Sequence, residues 1–441
     1  MILADSGWER FIKRELKVEN ELMSSLPFIE GRGGIFCRGC LGNNLFSALD
    51  LGDLPIANEL LLNSESQIEK FPLHLRVCSD CGLGQVADVV TPERIFRDYR
   101  YLSSMSTTFL NHASDFVNQR VQEGLFSPGD WVLEIASNDG YLLKNFLSKG
   151  IRAIGIEPAM NVAEISRGLG IETISEFFSS LLANELVAKY GYPKLIIANN
   201  VMAHVPDLRD FINGLSLLCG PDTRISIENP SIANILVGMQ FDTIYHEHYS
   251  YLSAYSVSRI SKNSGLQLSK VEDLSIHGGS NRYWLSRLDL DNFIDPSVSR
   301  VTNFEIDNGL FDAQEWTNYA AKVSNILKGL LAWLRAGREN NARIYGYGAA
   351  AKASTILNSI EVDPNLLIAI ADMSLEKQRR FMPPHGIKII APQDLFTAKP
   401  TDVLIFPWNI KSEIANYLRE NLGEEVRLWC AIPNMHEIPP K

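Results

Sequence analysis

Apolar residues in this chain gather into short, nearly continuous runs separated by segments of helical length. Trp131-Val-Leu-Glu-Ile-Ala136, Arg152-Ala-Ile-Gly-Ile-Glu157, Lys194-Leu-Ile-Ile-Ala-Asn199 and Arg224-Ile-Ser-Ile-Glu228 have the length and β-branched content of buried strands. A second series follows at Arg343-Ile-Tyr-Gly-Tyr-Gly348, Leu366-Leu-Ile-Ala-Ile-Ala371, Asp402-Val-Leu-Ile-Phe406 and Val426-Arg-Leu-Trp-Cys430, with a helix expected from Lys411 to Asn421. Strand and helix alternating in this way predict parallel, doubly wound sheets, so the fold class is α/β with two open sheets. A helical period from about Ala313 to Glu339 predicts a long helix between them. Residues 92–125 also read as helix, broken by the hydroxyl-rich Asp98-Tyr-Arg-Tyr-Leu-Ser-Ser-Met-Ser106. From Cys37 to about Asp88 glycines cluster beside two cysteine pairs, which predicts a small loop-rich unit. Residues 1 to about 30 carry only a weak helical pattern (Trp8, Phe11, Ile12, Leu16), and no function is assigned to them.

A chain of 441 residues exceeds what one compact core holds, so several domains are expected. Its 46% hydrophobic and 21% charged residues are ordinary for a globular protein. The net charge of -11 opposes non-specific attraction to nucleic acid or to an anionic membrane and favours small-molecule partners. Acidic residues at Asp5 and Glu9 interrupt the N-terminus before an export signal could form, and the apolar runs are strand-sized, short of the roughly 20 residues of a membrane span. A cytoplasmic location is the expectation.

Cys37-Arg-Gly-Cys40 and Cys78-Ser-Asp-Cys81 offer four soft thiolates in two tight knuckles, which suits tetrahedral Zn2+. Four thiolates leave no open coordination position, so the expected zinc is structural.

Glu134-Ile-Ala-Ser-Asn-Asp-Gly140 lies where a first strand turns into a helix, so Ser137, Asn138, Asp139 and Gly140 face the crevice of the sheet. The loop lacks the G-x-G-x-x-G spacing, and the acidic Glu134 and Asp139 would repel a pyrophosphate. About 20 residues further, Glu157 ends the second strand, where a carboxylate takes both ribose hydroxyls of an adenosine. S-adenosylmethionine, with its ribose, sulfonium and amino acid, satisfies both features. Glu157 would equally cap the helix begun by Pro158. Asn199, Asn200 and His204 end the fourth strand as another polar cluster, although asparagines there also satisfy turns.

The densest chemistry is the tract Tyr245-His-Glu-His-Tyr249. A core disfavours unpartnered ionisable groups, whereas an active site tunes them. Its histidines, two residues apart, would diverge by about 200° on a helix, which excludes the H-E-x-x-H metal motif. Tyr245 and His248, three apart, would be neighbours, with Glu247 nearby. Structural histidines would give the same text. Ile276-His-Gly-Gly-Ser-Asn-Arg282 displays His277 and Arg282 beside glycines that allow close backbone approach. In Tyr345-Gly-Tyr-Gly348-Ala-Ala-Ala-Lys352, a glycine turn before a helix would let backbone N–H groups and Lys352 meet a phosphate, with Asp372 imitating a dinucleotide fingerprint. Such a turn also occurs wherever helix and strand simply pack closely.

Together these residues resemble the S-adenosylmethionine-dependent sugar C-methyltransferases that act on nucleotide-linked keto-deoxysugars. The double Cys-x-x-Cys, Ser137-Asn-Asp-Gly140, Gly155-Ile-Glu-Pro158, Asn199-Asn-Val…His-Val-Pro206, Phe241-Asp-Thr-Ile-Tyr-His-Glu-His248, His277-Gly-Gly-Ser280 and Gly346-x-Gly-Ala…Lys352 carry the likeness. It implies an N-terminal extension (1–34), a zinc-binding domain (35–90), a class I methyltransferase domain (91–310) and a C-terminal Rossmann-like domain (311–441) that helps hold the sugar nucleotide. It also implies that His248, Tyr245 and Glu247 surround the sugar, joined by Tyr101. Ala136 and Ala353 stand where the family usually has glycine. The expected reaction is deprotonation beside a ketone by His248, Tyr245 or Tyr101 donating to the enolate oxygen and Glu247 orienting His248, followed by attack on the donor methyl. Alternatives are methyl transfer to oxygen or nitrogen, a non-catalytic zinc-containing nucleotide-binding protein, or a dehydrogenase using the Gly346/Gly348 turn.

Overall fold

The computed structural model describes residues 36–440 except 65, 88–89, 97–101, 291–292 and 361. The N-terminal extension and Tyr101 therefore lie outside the described residues.

The first unit is an antiparallel sheet built from β1 (Leu45–Leu54), β2 (Phe71–Cys78), β3 (Gly84–Gln85) and β9 (Ser250–Tyr251), in that order. Its last strand comes from the middle of the chain, directly after Tyr245-His-Glu-His-Tyr249: Gly84 lies opposite Tyr251 and Gln85 opposite Ser250. Gly84 is needed there because a Cβ would stand 2.5 Å from Ile232 Cδ1 and 3.0 Å from Tyr251 Cβ. Val86 N–H extends the pairing by donating to Tyr249 O.

The expected doubly wound class I methyltransferase sheet forms the centre. It comprises β4 (Trp131–Ile135), β5 (Arg152–Ile156), β6 (Glu172–Ile174), β7 (Leu195–Asn199), β8 (Arg224–Pro230), β10 (Leu266–Leu274) and β11 (Ser280–Arg287). In space the order is β6-β5-β4-β7-β8-β11-β10, the first five strands parallel and the β10/β11 hairpin antiparallel. Strand order reverses between β4 and β7, which opens the crevice at their carboxyl ends. The helices around it start where side chains cap them: Asp207 for Leu208–Leu218, a reciprocal Ser253/Ser256 box for Ala254–Asn263, and Asp295 for Pro296–Asp307.

The third sheet has β12 (Ile344–Tyr347), β13 (Ile370–Ala371), β14 (Phe381–Met382), β15 (Ile387–Ile390), β16 (Asp402–Ile405), β17 (Arg427–Cys430) and β18 (His436–Ile438). Its order is β14-β15-β13-β12-β16-β17-β18, parallel within and antiparallel at both edges. The strand expected over Leu366–Ala371 shortens to its last two residues because Leu366 N–H closes a turn onto Asp363 O. The long helix is present at Ala313–Glu339, capped by Asp312, and buries Trp316, Tyr319, Val323, Ile326, Leu330 and Leu334 at helical spacing. It packs on β1, and one continuous core runs from Leu73 and Leu75 through Phe241 and Ile244 to Ile356 and Phe406. All three units are thus joined by buried apolar surface.

Glu305 is an unusual element of this packing. Fully buried, it accepts from Ala254 N at 2.6 Å and Tyr255 N at 3.0 Å, closing the start of their helix. Burial raises its carboxyl to about 7. A carboxyl raised in the folded state gives full stability below its unfolded value near 4.5 and loses it as pH climbs through about 7. Thermal melts between pH 5 and 8 are expected to show stability falling with pH, with a shallower slope in Glu305→Gln; an identical slope would contradict the assignment.

Candidate active site and metal centre

Two tight turns bring the cysteines together. Leu41 N–H donates to Cys37 O and Gly82 N–H to Cys78 O, folding each knuckle back on itself. The four sulfurs of Cys37, Cys40, Cys78 and Cys81 lie within 4.8 Å of one another, with Cys37–Cys81 at 3.5 Å and Cys40–Cys78 at 3.6 Å. A tetrahedron with Zn–S bonds of about 2.3 Å has edges of roughly 3.8 Å, so the sulfurs fit a closed zinc site.

At the carboxyl end of β4 the chain turns sharply, with Ala136 at φ 57°, Asn138 at 50° and Gly140 at 78°. The family glycine expected at 136 is explained by this left-handed backbone, which costs a side chain about 1–2 kcal/mol. Glu157 accepts from Asn138 N at 3.0 Å and Ala159 N at 2.9 Å, so it closes the loop and also caps the next helix. The two readings of Glu157 are compatible, because each carboxylate oxygen keeps a second acceptor site. Buried atoms of Glu134 (Oε2), Ser137 (Oγ), Asp139 (Oδ1), Asn199 (Oδ1) and Asn200 (Nδ2) have no hydrogen-bond partner among the described residues. Burial, then Asp139 and Glu157, push Glu134 well above the usual carboxylate range, and burial also raises Glu157. Crowded carboxylates of this kind are relieved by a cation. The crevice fits S-adenosylmethionine, which brings positive charge and hydroxyl donors. Ser103 N donates to Asn138 Oδ1 at 2.9 Å and Ser104 N to Asp139 Oδ2 at 3.2 Å, laying the hydroxyl-rich segment over it.

Tyr245 Oη lies 3.0 Å from His248 Nε2, and His248 Nδ1 lies 3.1 Å from Thr243 O. A carbonyl only accepts, so Nδ1 carries the proton and Nε2 accepts from the tyrosine. Burial, then the nearby His204, hold His248 well below the usual imidazole range, so it is neutral at neutral pH. His204 stands against it with ring centroids 4.7 Å apart, its Nδ1 donating to Glu247 O at 2.7 Å; burial lowers it to about 4.

Glu247 departs from its expected part. Its carboxylate receives Asn58 Nδ2 at 2.7 and 2.9 Å, reaching into the zinc-bearing unit rather than to His248, and only its carbonyl joins the histidine cluster. His246 likewise bonds Phe71 O. The tract is therefore pinned to the first unit on alternate residues.

Other expected residues divide. His277 sits at φ 56° with its ring 5.3 Å from Phe109, and burial lowers it to about 4. Lys352 opens the helix Ala351–Asn358, with Nζ 4.7 Å from the Trp408 ring centroid. Trp408 carried no signal in the sequence; its Nε1 donates to Asp242 Oδ2 at 2.7 Å, joining the C-terminal unit to the turn before the tract. Gly348 is a turn glycine: at φ 89°, a Cβ would lie 2.4 Å from Pro407. The turn amides do not form the expected phosphate cradle, because Gly348 N donates to Ala371 O and Ala350 N to Gly348 O. Asp372 is also engaged, accepting Ser374 N and lying 3.5 Å from Lys377. Asn200 donates its N–H to Glu228 O.

Arg282 is a correction. Its guanidinium is buried, 2.7 Å from Glu228 and 3.2 Å from Glu272, with Phe116 beneath it. Glu228 also binds His112 at 2.9 Å. The strand pairing of β11 with β8 sets Arg282 opposite Glu228, so it is a structural ion pair rather than a displayed ligand group.

Two outcomes follow from this geometry. Elemental analysis is expected to find one zinc per chain, lost with the fold of the first unit in Cys78→Ser; a folded, metal-free wild type would overturn the site. Arg282→Leu is expected to lower stability by about 3–5 kcal/mol by stranding Glu228. Denaturant unfolding checks this, and an unchanged midpoint would return Arg282 to the pocket.

Comparison with known proteins agrees with this arrangement. Three family models match in succession: "Putative zinc binding domain" over residues 37–96, "Methyltransferase domain" over 109–271 and "C-methyltransferase C-terminal domain" over 275–433. The last begins inside the central sheet, since β11 lies within it. C-methyltransferase NovU of Streptomyces niveus is 28% identical over 399 residues, covering 90% of this chain and 95% of that protein. Among solved structures, magnesium protoporphyrin IX methyltransferase of Synechocystis aligns over 40% of this chain and 79% of its own at 14% identity and TM-score 0.31. The CcbJ methyltransferase of Streptomyces caelestis aligns over 40% and 89% at 11% identity, also at TM-score 0.31. With its cysteine cluster, its crevice and these consecutive matches, the chain belongs to the S-adenosylmethionine-dependent C-methyltransferases that carry an N-terminal zinc-binding domain.

Proposed function

We propose that this methyltransferase C-methylates a nucleotide-linked keto-deoxysugar. The observation that carries the reading is the directed chain from Tyr245 Oη to His248 Nε2 and from His248 Nδ1 to Thr243 O, which fixes a neutral base. Methylation at oxygen or nitrogen has little need of a strong proton acceptor held away from water, whereas carbon acidity does. S-adenosylmethionine supplies the electrophilic methyl group. In this reading Glu134, Ser137, Asn138, Asp139, Gly140, Glu157 and Asn199 bind that cofactor, the last through its unpartnered Oδ1. Asn200, His204, His277, Gly348 and Lys352 line the acceptor side. The C–H bond beside the ketone breaks, and its proton passes to His248 Nε2 with the Tyr245 hydroxyl in line as relay. The electron pair moves onto the ketone oxygen and returns as the new C–C bond forms. Glu247 acts by holding the tract on Asn58, and the described residues 311–440 give the nucleotide its binding surface.

Mass spectrometry after incubation with S-adenosylmethionine and a panel of nucleotide-linked 4-keto-deoxysugars is expected to show a gain of one methyl group with the ketone retained. His248→Asn is expected to lose ~10²–10⁴-fold in turnover while still binding the cofactor in titrations. Methylation at oxygen or nitrogen would sink the proposal, and lost cofactor binding would make His248 structural.

A further inference from the structure

Enolisation places negative charge on the ketone oxygen, and something must meet it. Tyr245, the expected donor, has its hydroxyl proton committed to His248 Nε2. His204 and His277 are held neutral by burial, each near 4. The group that remains is the ammonium of Lys352, partly buried and with no hydrogen-bond acceptor among the described residues. Its charge is felt at His248, at His277 and at Asp242, so it faces the same pocket as the base.

A specific frame holds it there. Trp408 is wedged between domains: Nε1 is bonded to Asp242 Oδ2 at 2.7 Å, and the far edge of the ring presses on Gly278, where a Cβ would stand 2.1 Å from Cη2. Lys352 Nζ lies over the ring face at 4.7 Å. Asp242 is completely buried, and its other oxygen, Oδ1, has no hydrogen-bond partner among the described residues. The indole thus fixes the direction of the lysine, and the carboxylate behind it favours the charged ammonium.

We propose that Lys352 is the cationic partner of the oxyanion formed on the acceptor's ketone oxygen, and that Asp242 and Trp408 are the positioning residues that hold its ammonium there. This rests on the C-methylation reading above. No covalent bond forms to Lys352: it donates a hydrogen bond to the oxygen while the C–H pair resides there and releases it when the carbonyl re-forms. The alternative anion is the nucleotide's diphosphate, but the glycine turn beside Lys352 spends its amides on its own backbone.

The test uses full-length, zinc-loaded protein with S-adenosylhomocysteine in place of the donor, and a 4-keto-deoxysugar nucleotide in D2O. Deuterium entry at saturating sugar nucleotide reports enolisation without transfer. Lys352→Gln is expected to slow it by ~10²–10³-fold, the cost of one oxyanion donor, with unchanged affinity for the free nucleoside diphosphate. Lys352→Arg is expected to recover part of the rate, which separates charge from folding. Trp408→Phe is expected to lower the saturated rate more than the apparent affinity. In Asp242→Asn the alkaline limb of the exchange profile is expected to move to lower pH, because the carboxylate raises the lysine's affinity for its proton. Wild-type exchange in Lys352→Gln with weakened nucleoside diphosphate binding would overturn the proposal and make Lys352 a phosphate contact. An unmoved alkaline limb would remove the positioning role of Asp242. Absence of exchange in the wild type, despite bound sugar nucleotide, would instead fail the C-methylation reading itself.

Discussion

The pairing of β3 with β9 is the constraint on which the site depends. It spans only Gly84 with Tyr251 and Gln85 with Ser250, yet it ties the end of the Tyr245–Tyr251 tract to a unit stapled by four cysteines. Asn58 on Glu247 and Phe71 O on His246 repeat the attachment, and Tyr249 Oη adds a 2.6 Å bond to Val90 O. With alternate residues bound on one side, Tyr245 and His248 are presented on the other. A unit this small has little core of its own, so the zinc gives the rigidity that apolar burial alone would not.

Burial acts in opposite senses on the two halves of the pocket. In the crevice it crowds Glu134, Asp139 and Glu157, a surplus of acceptors that suits a cationic cofactor. Across from it, burial strips charge from His204, His248 and His277 and leaves the ammonium of Lys352 beside them. A positive donor and an acceptor that becomes negative are therefore met by complementary surroundings before either reacts.

What the sequence made legible was local. The cysteine knuckles, the strand ends at Glu134 and Glu157 and the Tyr245/His248 spacing each carry their geometry within a few residues, and each is found in the structure where its spacing implied. Glu247 and Arg282 were read differently because their partners are remote: Asn58 lies in another sheet, and Glu228 meets Arg282 only once β11 pairs with β8. Trp408 and Asp242 left no trace, since a tryptophan after a buried strand and an aspartate in a turn are ordinary text until the domains meet. The strand at Leu366 failed for the opposite reason, an apolar run whose first residues were taken by a turn onto Asp363.

The edge position of β9 also limits how this architecture can be divided. The cysteine unit precedes the methyltransferase sheet in the chain, but its own sheet is completed by residues synthesised some 160 positions later. Removed from the rest, it would expose the unpaired edge of β3, a surface that invites pairing with other chains. Zinc-bearing unit and catalytic tract are thus one inheritable block in three dimensions though not in sequence. Exchange of segments between relatives would preserve the chemistry only where both sides of that pairing travel together, whereas the sheet beyond the long helix is free to vary in the nucleotide it meets.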